Sequence, residues 1–130
     1  MQAGNAVNVP KLLDVAREVD EIATLEPGWD GHDAPALSGL AASRAILLLL
    51  SLGDAADGAV PLPATVDPIA DGGLQLEWDR DRLQNEVQVA PDGTYGYLLI
   101  HDPFGPERYE EANDLTLAAM IQVLLDAFGR

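Results

Sequence analysis

The sequence predicts an α+β protein in two layers, and three observations predict it. Residues 9–25 and 39–52 carry apolar side chains at helical spacing. Residues 72–99 switch to an alternation of period two, and residues 114–128 return to a helical pattern. The expected order is two N-terminal helices, a three- to four-stranded antiparallel meander and a C-terminal helix, in a single domain over residues 1–130.

The first helix is read from "VPKLLDVAREVDEIATL", in which Leu12, Val15, Ala16, Val19, Ile22 and Ala23 form one stripe. Asp14, Glu18 and Glu21 fall on the outer face. Asn8 is placed to cap the helix, and Pro10 is tolerated in its first turn. Glu26-Pro27-Gly28 should stop it, because proline cannot continue a helix and glycine permits a positive φ. The second helix, "GLAASRAILLLLSL", has Ser38 as its N-cap candidate and Gly53 as its C-cap candidate. Its second half is apolar all round, which predicts burial on more than one side.

After the loop "GDAADGA", the three prolines of "VPLPATVDP" (60–68) predict an extended edge segment. In "GGLQLEWD" the residues Leu74, Leu76 and Trp78 face one way, and Gln75 and Glu77 the other. "NEVQVA" repeats the pattern with Val87 and Val89 inward, and "PDG" (91–93) is a turn with Gly93 at a left-handed position. "TYGYLLIHD" (94–102) is a further strand, apolar on both faces near its end, so that end is expected to be covered on both sides. "PFGPERYEEAN" reads as a loop, and Asn113 and Gly129 as the caps of the last helix.

Charge is the strongest compositional signal. Acidic residues number 22 against 7 basic ones, a formal net charge of −15. Such a surface repels nucleic-acid phosphates and anionic lipid heads, so neither a nucleic acid nor a membrane is an expected partner. The absence of cysteine removes disulfides, thiolate nucleophiles and cysteine-based metal sites. No basic and apolar leader opens the chain, and the longest apolar run, "AILLLLSL", is too short to span a bilayer. A cytoplasmic location is the expectation.

Few groups invite chemistry. The two histidines, His32 and His101, are each followed by aspartate, and with Asp30 and Asp102 they could hold a metal if the fold joined them. Their spacing gives no local support for that, and solvated loop positions are the plainer expectation. Ser38, Ser43 and Ser51 lie at or inside the second helix, and none sits in a G-x-S-x-G elbow. No phosphate-binding glycine pattern occurs. The expectation is therefore a non-enzyme with no catalytic residues, no metal and no cofactor.

The stretch "EPGWDGHDAP" (26–35) concentrates a tryptophan, two aspartates, a histidine, two glycines and two prolines between the helices. The composition suits a tight corner in which Trp29 plugs the end of a small core and Asp30 or Asp33 accepts backbone N–H bonds. The competing reading is a binding loop in which Trp29, Asp30 and His32 meet a protein partner.

The spacing around this corner resembles a pattern found in small, uncharacterised acidic bacterial proteins. It runs "L-x-x-G-W-D-G-x-x-A-P", then "L-P-x-P", then "D-G-G-[IL]-x-[LF]-E-W", then "D-G" and an aromatic strand. Matching residues are Leu25, Gly28-Trp29-Asp30-Gly31, Ala34-Pro35, Pro61-Leu62-Pro63, Asp71-Gly72-Gly73-Leu74, Leu76-Glu77-Trp78 and Asp92-Gly93-Thr94-Tyr95. The resemblance implies a shared fold and the cytoplasm of bacteria or their phages. It brings no known activity, and it implies an accessory or antitoxin-like partner more than an enzyme.

The expected function is thus a small acidic accessory module, antitoxin-, immunity- or inhibitor-like, that binds a protein partner, most naturally a basic one. The alternative is a small enzyme or ligand-binding domain built on Trp29, His32 and His101. The last helix adds a second expectation. Leu117, Ile121, Leu124 and Phe128 can cover the sheet, which leaves Ala119, Met120 and Val123 for either helix–helix packing or an interface. In the second case Met120 and Val123 would be buried by a homodimer or by the partner.

Overall fold

The computed structural model describes residues 9–55, 60–80, 83–101 and 108–128. In chain order the elements are α1 (Val9–Ala23), α2 (Gly39–Ala55), β1 (Thr65–Pro68), β2 (Leu74–Arg80), β3 (Leu83–Val89), β4 (Tyr95–His101), β5 (Arg108–Leu115) and α3 (Leu117–Phe128). The strands form one antiparallel meander in the order β1-β2-β3-β4-β5. Short connections leave sequential strands little choice but to pair with their neighbours.

All three helices pack on the same face of the sheet. α2 lies in the middle over β2 and β3, α1 flanks it towards β1, and α3 flanks it towards β4. The position of α2 accounts for part of its apolar run: Ala45, Leu48, Leu49 and Leu52 are buried in the core, while Leu47 and Leu50 are exposed. The covered sheet face holds Leu74, Leu76, Trp78, Val87 and Val89, all buried as their alternation requires. The register seals this face by placing Leu74 opposite Val89 and Leu76 opposite Val87. Trp78 is the large aromatic of the core. Its indole N–H donates to the Pro61 carbonyl at 2.7 Å, and its ring meets Phe128 at a centroid distance of 6.2 Å.

Local chemistry sets the element ends. The Ser38 hydroxyl accepts the Ala41 N–H at 3.2 Å, so it caps α2, and it also donates to the Pro91 carbonyl at 2.7 Å. That pair of bonds pins the start of α2 to the β3–β4 turn. The Tyr95 hydroxyl donates to the Arg44 carbonyl at 2.7 Å and ties the same helix to β4. Gly73 must be glycine, because a Cβ there would collide with the Val89 carbonyl oxygen.

Four expectations are corrected. The segment read as a loop after β4 contains a fifth strand, β5, paired with β4 from Tyr95↔Leu115 to His101↔Arg108 around a register shift. Its sequence "RYEEANDL" lacks apolar alternation, because this edge strand is held by backbone pairing more than by buried side chains. α3 consequently starts at Leu117, and Thr116 caps it through an Ala119 N–H bond of 3.2 Å in place of Asn113, which is spent in β5. Gly53 does not end α2, which continues to Ala55. Met120 is fully buried within the chain itself, and Val123 is half-buried against the same core. α3 packs against both β4 and α2, so Met120 belongs to the interior and is not open to a partner. Asn8 and Gly129 lie outside the described residues.

Candidate functional site

The corner at residues 26–35 is laced by its own hydrogen bonds. Gly28 and Gly31 adopt φ values of +85° and +82°, which favour glycine and fold the chain back on itself. The Gly28 N–H donates to the Ala34 carbonyl at 2.7 Å. The Asp30 carboxylate accepts the His32 N–H at 2.9 Å and the Ala34 N–H at 3.3 Å. The Trp29 indole N–H donates to the Pro35 carbonyl at 2.9 Å.

Trp29 is therefore a clasp across the loop. It is half-buried and stands outside the core cluster, so it is not the core plug the composition suggested; Trp78 holds that place. His32 is exposed. The corner packs at the Tyr95 end of β4, where Gly72 receives Pro35 and the Ser38 N–H bonds the Gly72 carbonyl at 2.9 Å. His101 closes the opposite end of β4. Six residues of extended chain separate those ends by about 20 Å, so the fold does not join the two histidines. Among the described residues no group of three or more potential metal-ligating side chains comes together. Trp29, Asp30 and His32 share one corner, while Met120 and Val123 belong to the helical layer.

The feature that sequence reading missed lies on the other face of the sheet. Among the described residues nothing packs on that face. Register places Thr65, Glu77, Glu86, Leu98 and Glu111 in one row across all five strands. Asp79, Gln84, Ile100 and Tyr109 form the next row, and Asp67, Gln75 and Gln88 a third. Five carboxylates thus share the face with an apolar group of Leu98, Ile100 and Tyr109. Tyr109 is 59% exposed, and Leu98 and Ile100 are partly buried.

Glu77 and Glu86 are direct cross-strand partners, and like charges in that position cost stability. The Glu77 carboxylate is oriented by the Gln75 side-chain amide at 2.7 Å and the Thr65 hydroxyl at 3.2 Å. Partial burial, with the Glu77 charge second, holds the Glu86 carboxyl above the usual glutamate range. The described lysine and arginine side chains, Lys11, Arg17 and Arg44, all belong to the helices. An ion pair of Arg17 with Asp14 at 3.6 Å lies on α1 and is exposed.

The sequence did hold a signal for this face. Gln75, Glu77, Glu86 and Gln88 are the outward half of two alternating strands. Only the register shows that two of them oppose each other beside Leu98. Comparison with protein-family models, with curated proteins and with solved structures finds no match to this chain.

Proposed function

We propose that the protein is a small acidic, non-enzymatic accessory module of the bacterial cytoplasm that acts by binding a basic protein, as antitoxins, immunity proteins and inhibitors do. The observation that carries this reading is the concentration of negative charge. The chain has a net charge of −15, and five carboxylates share the sheet face opposite the helices. A field of one sign attracts a cationic partner over a Debye length and accelerates encounter, while it repels phosphates and lipid headgroups.

The placing of His101 at the far end of β4 from the His32 corner favours this reading over the alternative built on those residues. The corner's polar groups are already committed to its own backbone, which suits a structural device better than a reaction centre.

The test is affinity capture with the tagged protein from its native host, followed by association kinetics on the purified pair. A single basic protein should be retained in stoichiometric amount, and its association rate should fall as salt rises. Capture of no stoichiometric protein, or of an acidic one whose binding ignores salt, would overturn the reading.

A further inference from the structure

We infer that the sheet face opposite the helices is the docking surface, and that it takes an arginine-bearing segment of a basic protein, with Glu77 and Glu86 receiving the guanidinium and Leu98 and Ile100 receiving the apolar side chain beside it. The inference rests on the reading of the protein as a binder of a basic partner, and it assigns that partner a place and a recognition chemistry.

Three observations converge on this face. The first is that an apolar group stands on it without a cover among the described residues. Leu98 and Ile100 are partly buried on the outer side of a central strand, and Tyr109 is 59% exposed beside Ile100. A central strand ordinarily gains from keeping its open side polar, as Gln75, Gln84 and Gln88 do on the neighbouring strands. The second is that the cross-strand neighbours of Leu98 are acidic. Glu86 is the direct neighbour of Leu98 on one side and Glu111 on the other, and Glu77 follows one strand further. An apolar centre with a charged rim is the anatomy of a protein interface.

The third is orientation. Cross-strand partners hold their Cβ atoms about 5 Å apart, so the Glu77 and Glu86 carboxylates can be spanned by one planar guanidinium with its five donors. An ammonium is a point charge and spans them less well. Glu77 is held for this by Gln75 and Thr65, which lowers the ordering cost of binding. The occupant has to be cationic, and that decides against a second copy of the chain. Another copy would bring its own −15 charge and the same carboxylates to the face. The exposed leucines of α2, Leu40, Leu47 and Leu50, form the competing surface, on the helix that carries Arg44.

The experiment uses the full chain, labelled for amide NMR, and a short amidated peptide of alternating arginine and leucine as probe. The largest shift changes should fall on Glu77, Glu86, Leu98 and Ile100. Replacing arginine with lysine in the peptide should weaken binding several-fold, and Glu77→Gln with Glu86→Gln should weaken it about tenfold or more. Leu98→Ser leaves the charge unchanged and should still weaken it severalfold. The peptide should displace the captured native partner. Shifts centred on Leu40, Leu47 and Leu50 in the wild-type chain would overturn the inference, as would variants that bind like wild type; both leave the broader reading standing. Capture of no stoichiometric basic partner would overturn the broader reading, and this inference with it.

Discussion

Asn85 stands directly across β2 and β3 from Trp78 on the covered sheet face, and its buried amide has neither Nδ2 nor Oδ1 hydrogen-bonded among the described residues. Its neighbour on β4 is Leu99, so an amide occupies an apolar row. An unpaired buried amide costs more than an apolar side chain of similar volume at the same place. Asn85→Leu should therefore stabilise the protein by about 1–2 kcal/mol and raise Tm by about 3–6 °C. A lowered Tm would show that the amide is satisfied in solution.

Glu86 makes stability depend on pH. Its carboxyl is raised in the folded state, first by burial and then by Glu77. A group whose folded pKa exceeds its unfolded value contributes stability that is fully present below the unfolded pKa and is lost as pH rises through the folded pKa. Glu86 should thus favour the fold in mild acid and oppose it at neutral pH. Glu86→Gln should stabilise the protein at pH 7 by a few tenths of a kcal/mol, the small size reflecting solvent screening. Denaturant titrations of both proteins from pH 3 to 8 should show the difference shrinking towards acid, and a constant difference would refute the assignment.

The corner is a structural clasp, and that separates two outcomes. Asp30→Ala removes the acceptor of two backbone N–H groups and should cost about 1–2 kcal/mol. Trp29→Phe keeps a ring and loses the bond to the Pro35 carbonyl, at a cost of about 1 kcal/mol. Both losses should appear in thermal melts while affinity for a basic partner holds. Unchanged melting with lost affinity would make the corner a contact surface.

Met120 tests the sandwich of α3. It is fully enclosed by the chain's own core. Met120→Ala should destabilise by about 2–5 kcal/mol through the cavity it leaves, with no change in mass by light scattering. A mild effect on melting coupled to loss of a dimer would return this side of α3 to the surface.

Ser38→Ala should remove both the cap of α2 and the link to Pro91, costing about 1–2 kcal/mol. Hydrogen exchange would localise the loss to the first turn of α2 and the β3–β4 turn. Protection lost evenly across the sheet would contradict the pinning role.

By itself the sequence determined the helices, the alternating strands and the buried set of Leu74, Leu76, Trp78, Val87 and Val89. Each of these follows from a period that a short stretch of chain carries alone, because a helix or strand must present one face to a core. Ser38 as a cap and Gly93 in a left-handed turn were legible for the same local reason. Tertiary structure alone decided the rest. β5 exists because β4 offers its backbone an edge, which no apolar pattern in "RYEEANDL" announces. Met120 is interior because α2 lies on one side of α3 and β4 on the other. Trp29 and Trp78 are equivalent as residues, yet the loop closes on its own carbonyl around one and the sheet buries the other. The opposition of Glu77 and Glu86 beside Leu98 is set by register, a relation between strands that no single strand's sequence contains.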